Sequence, residues 1–303
     1  MKEVTAHDYL VFVSVVKRVT VANVEFDLPR TSPVTSWGPT GSDVPEEETV
    51  WSFPDRGHWA THDGRFRGNW SPFVARNLIK RYTEIGEWVL DPMMGSGTTL
   101  VECKLLGRNA IGVDINLNAV VLAIDRLRFR VPPEHVHGET AIRTYVGDAR
   151  RLEKISTETI DFIATHPPYS TVIRYGDGLI EGDLSEFSTF KDYLEAIREV
   201  ASECYRVLRK GKCCSILIGD TRKHCHFVPI SNAVLKEFID AGFVLLEDII
   251  KVQHNTTSGR GQWRGSRQSF YKIAHEHLFV FRKPESGAEL RKLRLSRPII
   301  YSE

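Results

Sequence analysis

The sequence predicts a doubly wound α/β fold, a seven-stranded and mostly parallel sheet with helices on both faces. Three observations carry that expectation. From residue 70 onward, short β-branched and apolar runs alternate with segments of helical period, the rhythm of strand–helix–strand units. A glycine-containing turn, Asp91-Pro92-Met93-Met94-Gly95-Ser96-Gly97, joins the first of those strands to a helix. Three consecutive strands end in acid-bearing turns at Asp91, Asp114 and Asp148, which puts their carboxylates on the edge where ligands of this architecture bind.

Before the rhythm begins, Leu10–Val16 and Val19–Phe26 read as one or two strands, being rich in β-branched residues. Leu28–Glu48 collects Pro, Gly, Ser and Thr and reads as a loop or arm, while Trp37, Trp51 and Trp59 imply that parts of it pack. Ser71-Pro72 starts a helix that runs to about Tyr82, with serine as cap and proline in the first turn. Glu87–Asp91 is the first core strand, Gly97–Leu106 the helix after the turn, and Asn109–Asp114 the second strand. Asn118–Phe129 is helical as far as the Val131-Pro132-Pro133 break. Ile142–Val146 and Ile160–Thr165 are the third and fourth strands. Thr189–Arg209 is a long amphipathic helix stopped by Gly211, followed by strand Cys213–Ile218 and helix Ile230–Ala241. Val244–Lys251 and Glu276–Phe281 complete the sheet; their non-helical link makes one of them antiparallel. The expected division is an N-terminal extension (1–50), a catalytic domain (51–285) and a tail (286–303).

Composition narrows the class. The 303 residues are 42% hydrophobic and 26% charged, enough for a sizeable core. Forty basic against thirty-nine acidic residues give a net charge of +1, which excludes a polybasic protein but not a local basic patch. No run of 18 apolar residues occurs, so no membrane association is expected, and residues 1–10 lack the plan of a signal peptide. Five cysteines without framework spacing read as free thiols in a reducing, cytoplasmic setting. Cys213 and Cys214 sit on a strand, where neighbours face opposite ways, so no metal site is expected.

Two motifs carry chemistry. Glycines 95 and 97 permit a tight turn and close approach of a ligand to backbone. Asp114 follows Asp91 by 23 residues, near the spacing of a carboxylate that holds ribose hydroxyls. The turn lacks the third glycine of a dinucleotide fingerprint and the Gly-Lys-Ser/Thr of a P-loop. The second motif, His166-Pro167-Pro168-Tyr169, ends the fourth strand. Its prolines stiffen the backbone and leave carbonyls free to face a ligand. A tyrosine at the rim would stack on a planar base.

Together these motifs resemble the S-adenosyl-L-methionine-dependent amino-methyltransferases of nucleic acid, the enzymes that make N4-methylcytosine or N6-methyladenine. The resemblance covers roughly residues 50–285, including Trp51-Ser52-Phe53-Pro54, Gly68-Asn69-Trp70-Ser71-Pro72 and His275–Phe281. It implies a Rossmann-like class I methyltransferase fold with S-adenosylmethionine as cofactor. In that reading Gly95 and Gly97 pass under the methionine part, with Pro92, Met93, Ser96, Thr98 and Thr99 shaping the same turn. Asp91 lies near the amino group, Asp114 and Ile115 at the ribose, and Asp148 and Ala149 at the adenine. Asn69, Trp70, Ser71 and Pro72 close the amino-acid side. The family usually begins its catalytic tetrad with Asp, Asn or Ser, whereas His166 stands here. A neutral imidazole accepts one amine hydrogen or takes its proton, the Pro167 carbonyl accepts the other, and Tyr169 stacks on the extruded base.

The expected partner is nucleic acid, through the basic stretch 251–275: Lys251, Asn255, Arg260, Trp263, Arg264 and Arg267, together with Arg174 near the catalytic motif. DNA is favoured with structured RNA as the alternative, and N4 of cytosine is favoured over N6 of adenine because His166 is not an aspartate. A non-catalytic nucleic-acid binder is the contrasting class. The chain is expected to act as a monomer or homodimer.

Overall fold

Nine strands among the described residues converge on one sheet whose order reverses at its centre, and two hairpins form separate ribbons. The computed structural model describes residues 1–41, 43–66, 68–169, 180–223, 226–254 and 271–287. Its elements, in chain order, are β1 (Lys2–Glu3), α1 (Ala6–Val15), β2 (Arg18–Val21), β3 (Val24–Asp27), β4 (Val50–Ser52) and α2 (Pro72–Tyr82). Then follow β5 (Trp88–Asp91), α3 (Thr98–Leu106), β6 (Asn109–Asp114), α4 (Leu117–Leu127), β7 (Ile142–Val146) and β8 (Ile160–Thr165). The last are α5 (Phe190–Val207), β9 (Leu208–Ile218), β10 (Thr221–Lys223), β11 (His226–Val228), α6 (Ile230–Asp240), β12 (Val244–Val252) and β13 (His275–Arg282).

Among the described residues the main sheet runs β1-β7-β6-β5-β8-β9-β13-β12-β4. The seven expected strands form its centre, and two short strands, β1 and β4, extend its edges. β13 is antiparallel to both β9 and β12, whereas β5, β6, β7, β8 and β9 pair in parallel. The chain order reverses between β5 and β8, so a crevice opens at their carboxyl ends. Strand alternation feeds two cores: Val89 and Cys213 pack on the side of α1–α4, while Leu90 and Cys214 pack on the side of α5 and α6.

The N-terminal residues differ from expectation. Leu10–Val16 is not a strand but part of helix α1. Thr5 caps it, accepting from the Asp8 amide, and Asp8 returns a bond to the Thr5 amide at 2.8 Å. That capping box, with Tyr9 and Val13 buried one turn apart, overrides the β-branched run. Val19–Phe26 is a hairpin, β2–β3, turning at Ala22 and Asn23, both with φ near +50 to +61°. Val13, Val19, Val21 and Phe26 sit in the same core as α2–α4, each side chain contributing about 1.5–3 kcal/mol. Residues 28–48 have no helix or strand among those described, yet Trp37 packs on Phe129 at 5.8 Å and Asp43 pairs with Arg76 at 2.7 Å.

A second difference lies at Gly211. The long helix ends at Val207, not at this glycine, and the chain turns directly into β9 with buried Leu208 as cap. Gly211, at φ +76°, makes an irregularity within β9 instead.

Candidate active site

The crevice at the carboxyl ends of β5, β6, β7 and β8 is a cleft of about 840 Å³, counting its open mouth. Its floor is the turn after β5. Asp91 ends that strand and accepts from the Met93 amide at 3.2 Å and the Thr99 hydroxyl at 2.5 Å. Asp114, at the end of β6, reaches across to accept from the Gly95 amide at 2.9 Å and from the Asn116 amide at 2.9 Å. The two acids therefore hold the turn in shape as well as lining the cleft. Gly95 (φ +51°) lies under the Phe66 ring, where a Cβ would come within 3.0 Å.

The carboxylates are unusual in charge. Burial pushes Asp91 up to about 7 and Asp114 up to about 6, because a charge far from water is disfavoured. Neither makes a salt bridge among the described residues. Amide and hydroxyl donors hold them, and the nearby Asp183 carboxylate adds negative charge beside Asp114, so a ligand bearing an ammonium and vicinal hydroxyls fits this floor. Asp148 also lines the cleft, with Ala149, but its carboxylate is gripped by Arg150 at 2.6 Å. Gly182, Asp183 and Leu184 form the opposite wall.

Of the sequence-predicted cofactor residues, Asn69, Trp70, Asp91, Pro92, Met93, Gly95, Ser96, Asp114, Ile115, Asp148 and Ala149 line this cleft. Ser71, Pro72, Gly97, Thr98 and Thr99 do not, and support it from behind. Ser71 donates to the Arg56 carbonyl at 2.8 Å and caps α2, whose first residue is Pro72. Gly97 (φ +80°) lies against Ala123 of α4, where a Cβ would approach the Ala123 Cβ to 2.9 Å. Its glycine serves helix packing rather than the ligand. Thr98 donates to the Asn69 side chain and Thr99 to Asp91.

Phe66 and Arg56, which the sequence reading missed, shape the wall together with Gly68 of the Gly68–Pro72 motif. Phe66 and Gly68 border the cleft directly. Arg56, half-buried, donates to the Asn69 and Trp70 carbonyls, each at 2.6 Å, and fixes the segment between cofactor turn and catalytic motif. Burial lowers its pKa from the usual arginine value. No local pattern around Arg56 announces this, because its partners are more than ten residues away.

The His-Pro-Pro-Tyr motif enters the same cleft. His166 and Pro168 line it, and the His166 ring stacks with Trp70 at a centroid distance of 6.0 Å. Pro167 is buried and its neighbour carbonyl, Pro168 O, accepts from the Tyr193 hydroxyl at 2.8 Å. Burial lowers His166 to about 4, with Lys251 and Arg56 adding to the effect and Glu276 opposing it. The imidazole is therefore neutral at pH 7.

Tyr169 does not present itself at a rim. It is 8% exposed, packed where Gly219 leaves room for its ring, with its hydroxyl 2.8 Å from Glu276 Oε1 and 2.6 Å from His166 Nε2. Lys251, expected at a phosphate, instead donates to Glu276 Oε2 at 2.9 Å. A lysine in that pair is committed to a buried carboxylate and is not available to solvent-borne phosphate.

Arg174, Asn255, Arg260, Trp263, Arg264 and Arg267 lie outside the described residues. A further basic and aromatic surface stands beside the motif on the β10–β11 hairpin, which the sequence reading did not single out. Lys223, His226 and Phe227 are exposed there, and the Arg222 guanidinium lies 5.7 Å over Phe227 and donates to the Tyr271 carbonyl at 3.1 Å. Tyr271 itself is 92% exposed. Among the described residues no helix is long and apolar enough to cross a membrane.

A reversed parallel sheet with an antiparallel strand inserted beside its last member, and an acid-lined cleft at its switch point, defines a Rossmann-like class I methyltransferase. The chain belongs to the DNA methylase family, whose model matches residues 23–125 and 160–296, and whose cofactor is S-adenosylmethionine. Shorter segments resemble individual proteins. A 51-residue stretch is 43% identical to Type II methyltransferase M.MjaII of Methanocaldococcus jannaschii, covering 17% of this chain and 10% of that protein. A 101-residue stretch is 34% identical to the tRNA (guanine(10)-N2)-dimethyltransferase of Pyrococcus abyssi, covering 33% of this chain and 28% of that protein. The chain thus spans well under two thirds of these relatives' length. A solved S-adenosylmethionine-dependent methyltransferase from Methanosarcina mazei aligns over 69% of this chain and 97% of its own, at 16% identity and a TM-score of 0.47.

Proposed function

We propose that the protein methylates the exocyclic amine of a nucleic-acid base, with N4 of cytosine in DNA as the first assignment. The observation that carries this reading is that His166 and Pro168 share one cleft with Gly95 and Asp114. A reacting amine and a methyl donor can meet there. When bound, S-adenosylmethionine supplies a methyl carbon on a positively charged sulfur, an electrophile that needs little further activation. Asp91 would hold its amino group, Asp114 its ribose hydroxyls, and Asp148 and Ala149 its adenine. His166, kept neutral by burial, accepts an amine hydrogen and orients the nitrogen lone pair. A base reaches this depth only when extruded from its stack. The exposed Lys223, Phe227 and Tyr271 surface supports a nucleic-acid partner, offering a cation for phosphate and rings for bases.

Structured RNA is the second reading, favoured by the tRNA-methyltransferase relative, whose matching segment is longer than that of the Type II enzyme. Transfer of tritiated methyl from S-adenosylmethionine to duplex DNA, single-stranded DNA and folded RNA, followed by nucleoside analysis, separates the readings. Label as N4-methylcytosine in DNA is the expected result. Label in RNA alone moves the assignment to RNA, N6-methyladenine reverses the choice of base, and no label in any nucleic acid overturns the proposal. Full turnover by His166→Ala would remove His166 from the chemistry.

A further inference from the structure

We propose that the β2–β3 hairpin is part of the cofactor site, with Val21 as an apolar contact for the adenosine half of S-adenosylmethionine. The inference rests on the reading of the β5–β8 cleft as the cofactor site. The hairpin lies outside residues 51–285, the stretch in which the sequence places catalysis. Val21 nevertheless lines the cleft, together with Phe66, Ile115 and Ala119. Asn118 Nδ2 donates to the Thr20 carbonyl at 3.2 Å and docks β2 on the first turn of α4. That turn begins directly after Asp114 and Ile115, the residues given to the ribose above. Val21 therefore stands on the ribose side of the cleft, away from the wall formed by Asn69 and Trp70.

The tip of this hairpin is unusual. Connecting turns run over the surface, yet Val21 is 2% and Ala22 6% exposed. Ala22 has φ +50° and Asn23 φ +61°, the left-handed region of a two-residue hairpin turn. Alanine disfavours that region, so packing against the cleft wall holds the tip in place. Alternation along β2 buries Val19 and Val21 and leaves Arg18 and Thr20 on the other face. Arg18 reaches across to Asp27 at 2.7 Å and Glu25 at 3.1 Å, in the register that pairs Val21 with Val24. A slip of one residue would put Thr20 at the cleft in place of Val21.

The hairpin also meets the glycine turn from outside. Phe26 of β3 lies opposite Val19 in the ladder, and its ring centroid is 6.5 Å from that of Phe66. The Phe66 ring in turn covers Gly95, where a Cβ would come within 3.0 Å of it. One strand of the hairpin thus supplies a wall residue, and the other backs the ring that covers the floor. A valine at the wall adds apolar surface and no hydrogen-bonding group, so it leaves the ribose hydroxyls to Asp114. Burying that surface against a ligand favours binding in proportion to the area removed from water.

Val19 and Val21 provide a matched test. They lie on the same face of β2, are 3% and 2% exposed and belong to one core, but of the two Val21 lines the cleft. Truncation removes the same two methyl carbons from that core, so Val19→Ala and Val21→Ala should lose similar stability in urea. Calorimetric titration of S-adenosylmethionine should separate them: Val21→Ala weakens binding about three- to tenfold, and Val19→Ala less than about twofold. 5′-Methylthioadenosine, which lacks the amino-acid half, should show the same loss in Val21→Ala. Hydrogen exchange of the unsubstituted protein keeps the test open if Val21→Ala does not fold. Saturating S-adenosylmethionine should slow the hairpin amides about tenfold or more, along with those of Gly95 and Asn116. Equal binding by the two variants, a loss that methylthioadenosine does not share, or protection of Gly95 and Asn116 with none in the hairpin overturns the proposal. Protection at neither place would overturn the reading of the cleft itself.

Discussion

Gly97→Ala and Gly86→Ala form a matched pair, because the two glycines share a backbone conformation and differ in surroundings. Gly97 has φ +80° and Gly86 φ +82°. An L residue in this left-handed region costs about 1–2 kcal/mol. The alanine recovers about 0.4–1 kcal/mol by restricting the unfolded chain. At Gly86 a Cβ would meet nothing within 4 Å, so the net loss is about 1 kcal/mol. At Gly97 the Cβ would stand 2.9 Å from the Ala123 Cβ and 3.4 Å from its Cα. Helix α4 cannot retreat without moving Asp114's neighbours, so overpacking adds about 1–3 kcal/mol. Gly97→Ala should therefore lose about 2–4 kcal/mol in urea denaturation. Calorimetric titration should show a further effect confined to it: displacement of the α3 start shifts Ser96 and Gly95 and weakens cofactor binding about tenfold or more. Equal losses of stability in the two variants would refute the claim that Gly97 serves packing against α4.

Cofactor binding should depend on pH in a defined sense. Asp91 at about 7 and Asp114 at about 6 are partly protonated near pH 6 in the free protein, so binding that needs their charges should tighten as pH rises to 8 and release protons. Titration in buffers of different ionisation enthalpy measures that release, and none would argue against these carboxylates as the ligand's partners. Folding shows the opposite trend from the same groups. Their raised folded values mean that ligand-free stability falls as pH climbs from the ordinary 3.8 toward 7. Glu102, fully buried, accepts from Trp59 at 2.7 Å, His62 at 2.7 Å and Arg76 at 2.8 Å. Glu102→Gln should cost about 1–3 kcal/mol in denaturant titration, because charge-assisted bonds from Arg76 and His62 become neutral ones while Arg76 keeps its pair with Asp43. Burial raises the Glu102 carboxyl, but His62 and Arg76 outweigh it and hold it low; its contribution is present at neutral pH and fades as pH falls below the ordinary 4.5. Both bonds to the Asn69 and Trp70 carbonyls leave Arg56 Nη2, so Arg56→Met, which removes the donor, should weaken cofactor binding about tenfold while circular dichroism stays unchanged.

Much of the core was readable because its signals are local. A strand's alternation, the proline after Ser71 and the glycines of the β5–α3 turn each state a dihedral demand within a few residues. Asn109–Asp114, Ile142–Val146 and Ile160–Thr165 appear with the boundaries expected of them. The N-terminal region misled for the converse reason. Its β-branched run suggested a strand, while the Thr5–Asp8 box and the burial of Tyr9 against α4, where its hydroxyl meets Asp125, decided for a helix.

The sequence by itself determined the sheet type, the glycine turn, the acids at the strand ends and the placement of His166 at the tip of β8. Those are consequences of period and of the conformations that glycine and proline allow. Only the tertiary structure decided what these residues touch. It turned Gly97 toward Ala123, drew Tyr169 inward to Glu276, and set Lys251 opposite Glu276 through the register of β12 and β13. Such pairings join residues tens to hundreds of positions apart, and a ladder register or a helix-packing distance fixes them; neither is written in the residues nearby.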